Sequence, residues 1–479
     1  MQRRIVGIDL GIATDHTVVV LDEQGRQLAR RRAEPTRTSL EALEVTALSG
    51  AAPGLRLEVV MEATGAAWLP VAVFFAERGH RVCRVSSQKA SDLRRYFRRH
   101  HKSNRIDALT LARMALLEGE VLAEIELPRG EAARLDREVR VTERLTEELA
   151  TRKTRIRELA RQLMPTSGRA FSRQIARVDL ELLRAYGDPR ILAEMELAEL
   201  THFVEQVSHH MHGEAKAAAW LDAARAAVEL FGSSDAVPFD ALVEDLTTEI
   251  RLLEALEAAR VPHERRREAA YRALDERGLA RSLPGIGEKG APLLVAVMGR
   301  PERFKSADRF CSFTGLAPKA SETGETDRKS QAMTKAGNRK LRRCLYRAAD
   351  TARKEDPQLA RIYYTQMVER GAPHTKALAV VASHLARRAW RVLVERRPYE
   401  LRDTDGRVVS KEEARTIIAE RYTVTEEVRR RRRSKKTAAS SPKVGKVPHQ
   451  VLEGHDTQGA RSAATRRPSP STIVAAATG

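Results

Sequence analysis

Apolar and polar positions change their period from region to region along this chain. Residues 4–9 form a short apolar run that ends on Asp9, and residues 17–21 form a second; both predict buried strands. Asp22-Glu23-Gln24-Gly25 supplies a turn, and a third strand is expected from about Gln27. Alternation over 55–62 predicts a fourth strand ending on Glu62, and 81–85 reads as a fifth. Helices are expected over 39–48, 65–78, 90–97 and 104–117, the last carrying Ile106, Leu109, Leu111, Ala112 and Leu116. Three meandering strands followed by alternating helices and strands imply an α/β layer fold.

The next region has a different period. Leu135, Thr142, Leu149, Ile156 and Leu163 stand seven apart, with Leu145 and Leu159 starting a second row among Arg and Glu. That is the pattern of a coiled-coil-like hairpin arm or a dimerisation helix, ended by Met164-Pro165-Thr166. Further helices are expected near 179–183, continuing through 190–218, and over 239–260, where Leu242, Leu246, Leu253 and Leu256 form a stripe. The pattern does not give that stripe's pairing partner and leaves open whether it is core or a dimer seam. A third unit begins near Ala280. From Val428 onward come five consecutive Arg, then Ser, Pro, Ala, Gly and Lys without aromatic anchors, which predicts a disordered tail that holds backbone phosphates. The expected domains are 1–125, 126–275, 276–400 and a largely disordered basic tail over 401–479.

Charge narrows the partners. The 479 residues carry a formal charge of +20. Residues 429–479 hold twelve Lys/Arg against two Asp/Glu, a net +10, and the other half of the excess is spread over the remaining chain. Such a surface favours polyanions. No uncharged apolar run reaches the roughly 18 residues of a membrane span, and Asp9 interrupts the early apolar stretch, which argues against a secretory signal. Cys83, Cys311 and Cys344 are odd in number and far apart, as in a reducing cytoplasm, and they fit no zinc knuckle. His202, His209, His210 and His212 permit a metal site but read as solvated or packed side chains.

Against this basic background, the acidic positions stand out. Asp9 and Glu62 each end an apolar strand, so the sheet can make them neighbours. Asn104 and Asp107 lie three apart on a helix and share a face. Hard oxygen donors converging at one end of a sheet suit Mg²⁺, and divalent metal neutralises a phosphodiester so that a nucleophile can approach it. Taken singly, each is more often a cap or turn residue. Downstream, Leu283-Pro284-Gly285-Ile286-Gly287-Glu288-Lys289 leads into an apolar helix, so that Gly285, Gly287 and Lys289 can present N–H groups and charge to a phosphate in the manner of a helix-hairpin-helix element. Residues 319–335 are rich in hydroxyls, including Ser321 and Thr323. Lys335, Asn338, Arg339, Lys340, Arg342 and Arg343 then open a basic helix suited to phosphates.

Together these motifs resemble the DEDD-type insertion-sequence transposases of the IS-one-ten group, which includes the pilin-gene-inverting recombinases. The resemblance runs over roughly 4–400. It rests on Gly7-Ile8-Asp9, Met61-Glu62-Ala63-Thr64-Gly65 and Lys102-Ser103-Asn104-Arg105-Ile106-Asp107-Ala108, then on Leu283-Pro284-Gly285-Ile286-Gly287, Phe313-Thr314-Gly315-Leu316-Ala317-Pro318 and Thr334-Lys335-Ala336-Gly337-Asn338. It implies a ribonuclease-H-like (RuvC-like) domain, a helical spacer and a mostly helical transposase domain. It also implies Mg²⁺ on Asp9, Glu62, Asn104 and Asp107, and donor and target DNA as substrates. A hydroxyl nucleophile forms a transient phospho-link to DNA, a bridge non-coding RNA guides the reaction, and the protein acts as a homo-oligomer in the prokaryotic cytoplasm at the nucleoid. The chain departs from the pattern twice. Asn104 stands where the family usually has Asp, and Thr323, before Gly324, stands where it has the nucleophilic serine, with Ser321 two residues earlier. A water-using ribonuclease-H-type endonuclease and a catalytically degenerate nucleic-acid-binding protein are the rival readings of the same residues.

Overall fold

A computed structural model of the chain describes residues 2–438 apart from 63–64, 86, 97–103, 119–121, 123, 173, 233, 319–321, 324–325 and 328–332; at 87–89, 94, 96, 104–105, 118, 322–323, 326–327 and 433–438 it describes the backbone alone. The strands are β1 (Arg4–Asp9), β2 (His16–Asp22), β3 (Gln27–Ala33), β4 (Glu58–Glu62) and β5 (Arg81–Val85). They make one mixed sheet in the order β3-β2-β1-β4-β5. β1, β2 and β3 pair antiparallel through short turns, and β4 and β5 add parallel to β1. Helices α1 (Arg37–Leu48) and α2 (Trp68–Glu77) make the crossovers that parallel pairing requires.

Alternation sorts the strand residues onto two faces. Val6, Ile8, Val18, Val20, Val59 and Met61 join the core beneath α1 and α2. Ile5, Val19, Leu21, Val60 and Cys83 face the other way, into a core completed by α4 (Asn104–Glu118), with α3 (Ser87–Tyr96) beside it. β1 and β2 are buried on both faces, which is why they read as continuous apolar runs. β3 is an edge strand, and its residues 27–32 are mostly exposed.

The spacer is an arm within the chain. α5 (Gly130–Leu163) packs along α10 (Phe239–Leu274). Their direction is antiparallel: Glu138 bonds His263 and Arg266 at 2.6 and 2.8 Å, while Arg152 and Arg155 bond Glu249 at 2.9 and 3.0 Å. The heptad row Leu135, Thr142, Leu149, Ile156 and Leu163 is buried throughout. The stripe left open as core or dimer seam joins a core: Leu246 and Leu253 are buried, and Leu242 and Leu256 are partly buried against the same cluster. Between the two long helices, α6 (Arg177–Tyr186), α7 (Pro189–Leu192), α8 (Leu197–Ser208) and α9 (Glu214–Phe231) form a knob around Trp220, Leu182, Leu200 and Ile250.

Two expectations are corrected here. The helix anticipated through 190–218 is broken, because His209 and His210 take the left-handed backbone at φ 50° and 60° and end α8. The helix expected to stop at 260 continues through Pro262 to Leu274. Packing against α5 on both sides of Pro262 outweighs its lost N–H bond.

The remaining helices are α11 (Leu279–Ser282), α12 (Gly290–Met298), α13 (Ala307–Thr314), α14 (Arg339–Glu355), α15 (Pro357–Tyr364), α16 (His374–Glu395) and α17 (Lys411–Arg421), with a small hairpin of β6 (Glu322–Thr323) and β7 (Thr326–Asp327). α14 buries Leu341, Leu345, Ala348, Ala349 and Ala352 on one helical face and packs against α12, α15, α16 and α17. The tail therefore starts later than 401: Ser410 caps α17 with a reciprocal Glu413 bond, and Ala414 and Ile417 are buried. Within the tail expected to be disordered from Val428, the residues as far as Ala438 belong to α18 (Glu426–Ala438), a helix in a separate unit with acidic residues in its first turn. Residues 439–479 lie outside the described residues. Among the described residues, no helix is long and apolar enough to cross a membrane. Cys83, Cys311 and Cys344 are free thiols. Burial pushes Cys83 and Cys344 up to about 11, so neither is a ready nucleophile at neutral pH.

Candidate active site

Strand register places the first two carboxylates. Ile8 of β1 is level with Met61 of β4 in a parallel ladder, so Asp9 and Glu62 are the next residues at adjacent strand ends. Alternation puts both on the face that also carries Ile5, Gly7 and Val60. Both are half-buried.

Gly7 brings the third. A Cβ there would lie 2.1 Å from the Ala108 carbonyl oxygen and 2.6 Å from the Ala112 nitrogen. The backbones of β1 and α4 thus meet at a distance that only glycine permits. Arg3 Nη2 donates to the Ala115 carbonyl at 3.1 Å, one to two turns further along α4. α4 therefore runs opposite to β1, and its first turn lies at the Asp9 end. Asp107 is in that turn, only 8 % exposed, at the positive pole of the helix. Asn104 opens α4, and its side chain lies outside the described residues.

Another carboxylate on the same face serves as a contrast. Glu58 also projects from β4 but accepts from Arg3 at 2.8 Å and lies 3.5 Å from Arg81. It is neutralised at the amino end of the strand. Glu62, at the carboxyl end, has no ion pair among the described residues. The loop after Asp9 is tied back by His16, whose Nδ1 accepts the Gly11 N–H at 3.1 Å. Burial holds this imidazole below its ordinary value, in its neutral form.

The donor set suits a hard divalent cation, with oxygen ligands from separate elements at one end of the sheet. Among the described residues, no group of three His, Cys, Asp or Glu is drawn together tightly enough to hold a metal. The fit is therefore one of donor chemistry and backbone placement.

The downstream motifs meet at one knot. Gly315 ends α13 at φ 76°. Lys335 N–H donates to the Gly315 carbonyl, Thr334 N–H to Ala317 and Asn338 N–H to Phe313, at 3.2, 2.9 and 3.1 Å. Pro318 bridges to Met333. A Cβ on Gly337 would lie 2.4 Å from the Phe313 carbonyl. The Phe313–Pro318 and Thr334–Asn338 motifs are thus two sides of one clamp at the base of the 319–332 segment. Thr323 pairs with Thr326 in the hairpin above it. The Thr323 side chain and all of Ser321 lie outside the described residues.

The expected phosphate-binding residues separate into two groups. Gly285 is packed, since its Cβ would lie 2.3 Å from the Ala348 carbonyl and its N–H donates to Glu355 at 3.2 Å. Gly287 and Lys289 are exposed at the start of α12, beside the acidic Glu288. Asn338 caps α14 by accepting from Leu341 N–H at 3.0 Å. Arg342 clamps the Lys335 carbonyl at 2.9 Å, and Arg343 pairs with Glu143 and Glu147 of α5 at 2.9 and 3.4 Å. Lys335 and Arg339 are exposed, Lys340 is half-buried, and none of the three has an ion pair among the described residues.

Two comparisons with known proteins bear on this arrangement. Residues 6–165 match the DEDD model of IS110 elements, described as a transposase, and residues 278–365 match the Transposase IS116/IS110/IS902 family. The chain is 25 % identical over 398 residues to the insertion element IS900 42 kDa protein of Mycobacterium paratuberculosis, covering 82 % of this chain and 96 % of that one. It is 27 % identical over 296 residues to the insertion element IS110 43.6 kDa protein of Streptomyces coelicolor, covering 59 % and 68 %. It is 27 % identical over 135 residues to the pilin gene-inverting protein of Moraxella lacunata, covering 28 % and 41 %. The two matched segments hold the carboxylate end of the sheet and the clamp of the hydroxyl segment, and the chain belongs to the IS110-type transposase family.

Proposed function

We propose that this transposase cuts and rejoins DNA by transesterification, with a ribonuclease-H-like domain supplying the metal site. The observation that carries the reading is the Ile8–Met61 register, which sets Asp9 and Glu62 at adjacent strand ends beneath the first turn of α4, where Asp107 lies. Asp9, Glu62 and Asp107, with Asn104, would hold Mg²⁺, which supplies charge neutralisation at the scissile phosphate. The hydroxyl of Thr323, or of Ser321, attacks phosphorus and gives up its proton, which balances the one taken by the leaving oxygen. A phosphoester to the side chain forms, the P–O bond to the 3′-oxygen breaks, and that oxygen leaves as a 3′-hydroxyl after taking a proton. Attack by a 3′-hydroxyl on the phospho-link reverses the step on a new strand, so no nucleotide is consumed. Gly287, Lys289, Lys335, Arg339 and Lys340 contact backbone phosphates. The guide RNA and the homo-oligomer rest on the family resemblance, the RNA pairing with donor and target DNA to set the sites.

The test is to trap the protein on element-end DNA and map the linked residue by peptide mass. Thr323→Val is expected to abolish the adduct while DNA binding stays. An unchanged yield removes Thr323 and leaves Ser321→Ala as the decisive variant. Free 5′-phosphate ends without any adduct would instead favour the water-using endonuclease.

A further inference from the structure

The edge strand β3 carries Arg30, Arg31 and Arg32 in succession, all exposed, and none has an ion pair among the described residues. Register gives the three different positions relative to the site. Arg32 pairs with Thr17 of β2, and Thr17 pairs with Asp9 of β1. Arg30 pairs with Val19, which pairs with Gly7. Arg30 and Arg32 therefore share the sheet face of Asp9, and Arg32 lies in the same cross-strand row, two strands or about 10 Å away. Arg31 pairs with Val18 and falls on the opposite face, with Ala29 and Ala33, which pack into the α1 and α2 core. On the Asp9 face, α4 packs on β1, β2 and β4.

We infer that Arg30 and Arg32 form a phosphate-binding edge that leads a DNA strand across the sheet to the carboxylate end. Their Cα atoms are about 7 Å apart, two residues along a strand, a separation of the order of neighbouring phosphates on one DNA strand. Guanidinium groups match phosphate oxygens in a fixed fork and stay charged at any working pH. The backbone enters beside two cations and then meets the acidic end of the same face, where only metal makes it welcome. The inference rests on the reading of Asp9, Glu62 and Asp107 as the reaction centre. The ordinary alternative is that edge arginines only block edge-to-edge pairing of sheets.

The experiment measures binding of the full chain to a labelled mixed-sequence DNA duplex, and to an RNA duplex of the same sequence, over a range of salt. The double variant Arg30→Gln, Arg32→Gln is expected to bind DNA about tenfold more weakly, with the slope of log affinity against log salt reduced by about 2. Arg31→Gln is expected to match wild type, and circular dichroism with thermal melting checks that each variant is folded. DNA affinity and slope equal to wild type in the folded double variant, with larger species by light scattering, would overturn the inference in favour of edge protection. An equal loss from Arg31→Gln, or a loss confined to RNA, overturns it as well. Cleavage by Asp9→Ala is measured in parallel: retained cleavage sinks the reading of the carboxylate centre alone, because the phosphate edge is read out by binding.

Discussion

Asp9 and Glu62 are held by strand register along their whole approach, whereas the segment bearing Ser321 and Thr323 is held at its two ends. The carboxylates stand on a sheet whose central strands are buried on both faces, so they cannot shift without disturbing the core. The hydroxyl segment is gripped at Gly315, Pro318, Met333 and Gly337, and its tip is supported by two residue pairs of a hairpin. One half of the proposed centre stands on buried strands, and the other on a clamp of loop bonds. Damage to the two halves should therefore look different.

The largest effect is expected at Gly7. Gly7→Val must push α4 away from β1, so it should lower stability by about 3 kcal/mol or more and abolish strand transfer. Thermal unfolding and a product assay measure both. Asp9→Ala separates chemistry from packing: product formation should fall by about a hundredfold or more, the loss of several kcal/mol of charge stabilisation, while the melting temperature stays near wild type. Gly337→Ala tests the other half. Its Cβ would strike the Phe313 carbonyl, so about 1–3 kcal/mol should be lost locally, and the covalent adduct should fall while DNA binding persists. If Gly337→Ala unfolded the chain as thoroughly as Gly7→Val, the contrast between the halves would be wrong.

Much of the first half was legible in the sequence. The runs 4–9 and 17–21 are apolar because both sides of those strands are buried, and Asp9 and Glu62 announce themselves as acidic ends of apolar strands. The parallel pairing of β1 with β4 was not legible, because register is fixed by contacts between segments far apart in sequence. Nor was the purpose of Gly7, which depends on the approach of a helix a hundred residues later. The two motifs around Gly315 and Gly337 were visible as separate motifs, but only the structure makes them one clamp. The partners of the basic helix were not legible for a related reason. Arg342 and Arg343 read as two members of one row of cations, and the structure gives the first a bond to the loop base and the second an ion pair with α5. The run Arg30-Arg31-Arg32 lies in an expected strand, and alternation along that strand is the sequence signal for its two-faced character.

Smaller effects sharpen the same contrast. Glu58 and Glu62 share a strand face but not a role. Glu58→Gln should cost about 1 kcal/mol by weakening the pairs with Arg3 and Arg81, and should leave strand transfer close to wild type. Arg343→Gln, which loses half-exposed pairs with Glu143 and Glu147, should cost at most about 1 kcal/mol and change DNA affinity less than Arg339→Gln does.

The smallest expected effect concerns the loop that follows Asp9. His16 is 1 % exposed, and its Nδ1 accepts the Gly11 N–H, so the bound form is the neutral imidazole. Burial lowers its proton affinity in the folded chain, while the unfolded chain keeps an ordinary value of about 6.5. Below that value the unfolded state binds more protons, so stability rises with pH through this window and is lost progressively as pH falls beneath about 6.5. Carboxylates titrate well below it, which leaves the range from about pH 7.5 to 5.5 to histidines. Melting temperatures across that range should fall for wild type and fall less for His16→Gln, whose amide oxygen can still accept from Gly11. Equal slopes for the two proteins would mean that the tie behind Asp9 carries none of the pH dependence.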